Sequence, residues 1–129
     1  MQYALLIYTD ETSWQTRTPD EIGAEMAGYQ AFGQEHESKI AGGDALHPTA
    51  TATSVRVRDG ERLLTDGPFA ETREQLGGFY LVNADSLDDA IEMAAKIPGA
   101  STGVVEVRPV MQFDENGRPL DPARQEANS

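Results

Sequence analysis

The sequence contains no cysteine, which removes disulfides, thiolate metal ligands and a cysteine nucleophile together. Basic residues are scarce: 10 Lys and Arg stand against 22 Asp and Glu, for a net charge of −12. Such a field repels polyanions, and a phosphate backbone is held by clustered Lys and Arg that release its counterions. The nearest approach to a cluster, Arg56, Arg58 and Arg62, is interrupted by Asp59 and Glu61. Neither nucleic acid nor an anionic membrane is expected as a partner. No apolar run approaches the roughly 20 residues of a membrane span. Asp10 and Glu11 follow an opening without basic residues, which argues against a secretory leader, so the cytoplasm is the expected compartment. Histidine is limited to His36 and His47, with no His-x-x-x-His pair, and no metal site is expected. The Gly-x-Ser-x-Gly elbow, the phosphate-cradling loop and the dinucleotide fingerprint are absent, and no cofactor is expected.

What is present reads as one domain, for which 129 residues suffice. Residues 2–8 form a strand apolar in both registers, with Tyr3, Leu5 and Ile7 on one face and Ala4, Leu6 and Tyr8 on the other. Thr18-Pro19-Asp20-Glu21 opens a helix: the threonine caps, the proline suits the first turn and Glu21 closes a capping box. Ile22, Met26, Tyr29, Gly33, His36 and Ile40 follow at helical spacing as one buried stripe, and Ala41-Gly42-Gly43 stops it. Residues 51–58 alternate as a strand with Thr53, Val55 and Val57 inward, and Asp59-Gly60 turns the chain into residues 62–65. After Asp66-Gly67-Pro68-Phe69 and the pair Gly77-Gly78 comes the strand 79–82, again apolar on both faces. Ser86 with Asp89 starts a second helix carrying Leu87, Ala90, Ile91 and Ala94 on one face; Pro98-Gly99 ends it, and residues 104–110 are the last strand.

That order predicts an α+β fold of the ferredoxin-like split βαβ plan with an elaborated middle. The domain is expected over residues 1–113, with a polar C-terminal tail over 114–129 that wraps against the body or a partner. Two helices cover only one sheet face in this plan. Strands apolar on both sides then call for a second subunit, so a homodimer is expected with pockets between each sheet and its edge loops. The alternative is cover of the second face by the tail or the middle segment.

The candidate chemistry centres on residues 66–74. Gly67 permits positive φ while Pro68 fixes φ, which makes a rigid loop. Asp66 is either a holder of its own turn or a base at a pocket lip, with Glu71 and Glu74 as further carboxylates suited to proton transfer. His36 falls in the helical stripe and reads as a hydrogen-bonded core residue. His47, ahead of Pro48 in an extended segment, is the better acid or base, and a meeting of His47 with Asp66 would form a general acid/base pair. Arg108, with Arg56 and Glu106, either holds a ligand carboxylate or pairs structurally. Trp14 is a lid or a surface anchor. The expected site therefore comprises His47, Asp66 and Glu74 as catalytic groups, with Gly67, Pro68, Phe69, Glu71, Arg73 and Arg108 around a small ligand.

The run Asp66-Gly67-Pro68-Phe69-Ala70-Glu71-Thr72-Arg73-Glu74-Gln75-Leu76-Gly77-Gly78-Phe79-Tyr80 resembles the signature of the DGPF branch of the YCII-related proteins, whose usual form carries Lys where Arg73 stands. Gly43, Leu46-His47-Pro48, residues 55–60, Asp89-Ala90 and residues 105–110 extend the similarity over about residues 1–113. The resemblance implies a ferredoxin-like chain that dimerises into an α/β-barrel. The wider family includes a dehydrochlorinase of chlorinated-aromatic breakdown, and its YCII branch uses a proposed His and Asp pair that is not transferred to residues here. Frequent proximity of the DGPF branch to extracytoplasmic-function sigma factors implies the rival reading, a non-catalytic sensor or partner of such a factor.

Overall fold

The computed structural model describes residues 1–121. Its centre is strand β1 (Gln2–Thr9), in which Tyr3, Leu5, Ile7 and Thr9 are buried while the alternate residues are half-buried. That alternation is the two-residue period of a strand with a covered face. Two strands flank β1, namely β5 (Gln75–Asn83) and β6 (Val104–Pro109), and β2 (Ile40–Ala45) adds to the free edge of β5. All pairings are antiparallel and the order is β2-β5-β1-β6. With helices α1 (Pro19–Glu35) and α2 (Leu87–Ala95) as the two crossovers, this is the ferredoxin-like split βαβ arrangement the element order predicts. A single turn, α3 (Gly99–Thr102), precedes β6.

The caps form as the sequence dictates. Thr18 accepts from the Glu21 amide at the start of α1, with Pro19 in the first turn, and Ser86 accepts from the Asp89 amide at the start of α2. Each such side chain satisfies an amide that has no partner within its helix, worth about 1 kcal/mol. The core lies between the helices and the odd-numbered face of β1: Tyr3, Leu5 and Ile7 meet Phe32 of α1, Val82 of β5, and Ala90, Met93 and Ile97 in and after α2. His36 caps α1 from inside this layer, with Nδ1 3.0 Å from the Phe32 carbonyl and its ring 4.6 Å from the Phe32 ring. The core-histidine reading of His36 thus holds. Ion pairs Lys39–Asp89 at 3.0 Å and Lys96–Glu35 at 2.7 Å tie the end of α1 to α2.

Several expectations need correction. The first helix ends at Glu35, and Ile40-Ala41-Gly42-Gly43 belongs to β2 rather than to a helical stripe and its stop signal. This strand lacks an alternating apolar pattern and exists because the edge of β5 offers it backbone partners. Thr53, Val55 and Val57 do not point inward. They lie on β3 (Thr53–Arg58), which pairs only with β4 (Glu61–Asp66) as a separate hairpin, and Val55 is 58% exposed. Asp59 and Gly60, both at positive φ, make its turn as predicted. On α2 the buried residues are Ala90, Met93 and Ala94, while Leu87 and Ile91 are exposed, because the short helix lies over the sheet with its 90–93–94–97 side down.

The opposite face of the sheet carries no helix. There Leu6 stands between Phe79 and Glu106, Ala4 between Leu81 and Arg108, and Tyr8 beside Val104. The described part of the tail does not cover it with buried side chains: residues 112–120 fold on themselves, with the Asp114 carboxylate accepting from Asn116 and Arg118 amides and a bridge from Phe113 to Pro119. Residues 122–129 of the expected tail lie outside the described residues.

Candidate functional site

The helical stripe of α1 does two different things along its length. Its C-terminal half packs, through Phe32 and His36, but Ile22 and Met26 are 45% and 63% exposed. They are exposed because they roof a cavity of about 530 Å³ that opens between the start of α1 and the β2–β5 edge. Ile7 and Thr9 of β1 and Gly78 and Tyr80 of β5 form its floor, and Gly43 to Ala45 of β2 with Leu46 just after it form one side. Trp14, on a 3-10 turn (Glu11–Thr16), forms the other. The volume is within the range of small-ligand sites, roughly 300–1,000 Å³.

Two charged side chains interrupt the apolar walls, Arg17 and Glu25, while Asp44 borders the cavity with its backbone and pairs with Phe79, whose side chain is on the other face. Arg17 and Glu25 hydrogen-bond to each other as an ion pair, with side chains only 12% and 24% exposed. Tyr29 lies next along the helix. Burial raises its phenol above the ordinary range, and the neighbouring Glu25 carboxylate adds to the shift, so Tyr29 keeps its proton at neutral pH. Burial likewise raises Tyr80. Nothing in this lining resembles a metal site, and no cluster of three or more ligating side chains occurs among the described residues.

The wall carrying Trp14 is held by a knot of polar contacts. The Glu11 carboxylate accepts from the Thr49 amide and hydroxyl, both at 2.8 Å. The Glu11 amide donates to the Gln75 side chain at 2.9 Å, and the Leu46 amide donates to the Gly77 carbonyl at 2.8 Å. Asp10 is held below the ordinary carboxylate range chiefly by the Thr12 hydroxyl and amide, with the Arg73 guanidinium adding to it. Three segments distant in sequence, 10–16, 46–49 and 73–77, thus frame one rim.

The nine expected catalytic and ligand-binding residues lie on this frame or away from it, and the cavity lining contains none of them. His47 is exposed, directly after the lining residue Leu46. Asp66 is exposed at the end of β4, and its turn is held by the Gly67 backbone instead: the Gly67 amide donates to Ala52 and its carbonyl accepts from Ser54 Oγ. Gly67 adopts φ 92°, the conformation for which glycine was expected. Pro68, Phe69, Glu71 and Arg73 are exposed, Phe69 at 81%. Glu74 is half-buried beside Gly103, its Oε2 3.1 Å from where a Cβ on that glycine would lie. Arg108 is on the helix-free sheet face.

Sequence reasoning passed over Arg17 and Glu25. A signal for Glu25 was present: 22, 25, 26 and 29 are spaced i, i+3, i+4 and i+7, so a carboxylate occupies one position of an otherwise apolar helical stripe. Trp14, considered as a lid or an anchor, is a cavity wall.

A ferredoxin-like sheet with two helices on one face and an apolar cavity at the helix–sheet edge defines a class of small α+β proteins. Within it, residues 1–114 match the YCII-related domain, and the chain belongs to that family. An uncharacterised protein of Rhizobium meliloti (strain 1021) is 38% identical over 118 residues, covering 88% of this chain and 94% of the relative. Among solved structures, the 5-chloro-2-hydroxyhydroquinone dehydrochlorinase of Burkholderia phenoliruptrix AC1100, in complex with 2,5-dihydroxybenzoquinone, superposes with a TM-score of 0.52. It shares 16% identity and the match covers 91% of this chain and 99% of that one, a likeness of fold.

Proposed function

We propose that this protein binds a small, mostly apolar molecule in the cavity beneath α1 and acts on it by proton transfer or elimination without a cofactor. The observation that carries this is the 530 Å³ cavity whose apolar walls hold one mostly buried carboxylate, Glu25, beside Arg17. A carboxylate in a partly dry pocket is suited to moving protons. That a dehydrochlorinase uses this fold makes the scaffold compatible with elimination chemistry and goes no further. In this reading His47 and Glu74 act at the rim, on segments that the Glu11 knot ties to the cavity wall, Asp66 acts with them from the end of β4, and the likeness of residues 66–80 to the DGPF signature puts the chain in that branch of its family.

Titrating the ¹⁵N-labelled protein with 4-ethylphenol and with 4-ethylanisole tests the site. Saturable shifts are expected at the amides of Asp44, Gly77 and Gly78. Shifts confined to residues 66–74 would move the site to that loop, and no saturable shift anywhere would end the reading.

The proposal extends to a two-fold dimer through the helix-free sheet face. Leu6, Phe79, Leu81 and Val104 there make an apolar patch bordered by Glu106 and Arg108, which water alone covers poorly. Sedimentation at micromolar concentration is expected to give twice the chain mass, and Leu6→Glu a folded monomer. A wild-type monomer at those concentrations refutes the paired assembly.

A further inference from the structure

The Arg17–Glu25 pair is a charged feature of the cavity that has lost most of its contact with water, so its chemistry dictates what a ligand must present to it. We propose that this pair selects neutral ring compounds bearing a hydroxyl group, the hydroxyl donating to the Glu25 carboxylate and accepting from the Arg17 guanidinium. The proposal rests on the cavity being the binding site.

Both side chains line the cavity and are mostly buried. A guanidinium offers five N–H donors and a carboxylate about four acceptor positions, and their mutual hydrogen bond occupies one of each. Donor and acceptor capacity therefore remain side by side at the same wall. A hydroxyl, which donates and accepts through one atom, satisfies both. An ether satisfies only the donor and leaves the carboxylate without a new partner. A ligand carboxylate would meet the attraction of Arg17 and the repulsion of Glu25 together. One attraction against one repulsion leaves little to offset the hydration that a charge gives up in a poorly solvated cavity. Tyr29, which keeps its proton beside Glu25, adds a neutral hydroxyl to the same end of the cavity. The remaining contact is apolar and aromatic, from Ile22, Met26, Trp14 and Tyr80, which favours a flat ring as the body of the ligand.

The chain has one tryptophan, and it forms a wall of this cavity, so its fluorescence reports occupancy directly. At pH 7, three para-substituted ethylbenzenes are compared: 4-ethylphenol, 4-ethylanisole and 4-ethylbenzoate, the first two neutral and the third an anion. The phenol is expected to bind at least tenfold more tightly than either of the others, by Trp14 fluorescence and by the Gly77 and Gly78 amide shifts. In Glu25→Gln the preference over the ether should shrink and the benzoate should gain affinity, because Arg17 is then left without its partner charge. Equal binding of phenol and ether by the wild type would make the cavity merely apolar. Binding of benzoate as tightly as the phenol would make Arg17 a carboxylate anchor; either result overturns the proposal while leaving the binding site intact. Absence of any saturable response to all three probes overturns both. The ranking on the wild-type protein decides the matter even if the variant folds poorly.

Discussion

Replacing Gly43 by alanine is expected to destabilise the protein by about 4 kcal/mol and to lower its melting temperature by roughly 15 °C, the largest effect of any single methyl addition in β2. The reason is geometric. Gly43 has φ 143°, a conformation that L side chains rarely adopt, and a Cβ there would stand 2.3 Å from the Phe79 carbonyl oxygen and 2.9 Å from the Tyr80 Cα. These are backbone atoms and cannot swing aside. The edge strand must therefore separate from β5, and it takes one side of the cavity with it. Alanine at Gly23, where nothing lies within 4 Å of the added carbon, is the matched control. In a helix interior it should stabilise by about 0.5–1 kcal/mol. Urea unfolding of both variants checks the pair, and a Gly43→Ala protein as stable as wild type would show that β2 does not hold this register.

Truncating Phe32 to alanine is expected to cost about 4 kcal/mol, within the span measured for large aromatic core residues. Phe32 is the only residue of the 17-residue α1 that is buried, at 2% exposure. Its ring meets His36 at 4.6 Å and Tyr80 of the sheet at 4.8 Å. It therefore fastens the cavity roof to the cavity floor, and its loss should weaken ligand binding as well as stability. Phe32→Leu, which keeps most of the volume, should cost less than half as much. Denaturant midpoints measure the first effect and Trp14 fluorescence titration the second. A small loss in the alanine variant would mean that α1 is fastened elsewhere.

Much of the fold was legible because its signals are local. Capping at Thr18 and Ser86, the Asp59-Gly60 turn and the period of β1 depend on side chains within a few residues of one another, and each forms as read. The elements that were misread depend on distant partners. The strand Ile40–Ala45 has glycines where a strand pattern would have branched residues, and only the β5 edge makes it a strand. The alternation of Thr53, Val55 and Val57 suggested burial, but nothing in a period specifies which surface, if any, lies against it. The candidate site divides in the same way. Residues 66–74 stood out because glycine and proline mark an unusual backbone, while Arg17 and Glu25, eight residues apart and without a motif, become a unit only when the chain turns at Thr18.

By itself the sequence determined the α+β class, the order of the elements, their caps, and the acidic character of the chain, since all of these follow from composition and short-range bonding. Only the tertiary structure decided that α1 buries Phe32 and lifts Ile22 and Met26 over a cavity, and that Glu11 joins three remote segments at its rim. Those outcomes depend on how far a helix stands from a sheet, a distance set by the packed volumes of side chains that the linear order does not bring together.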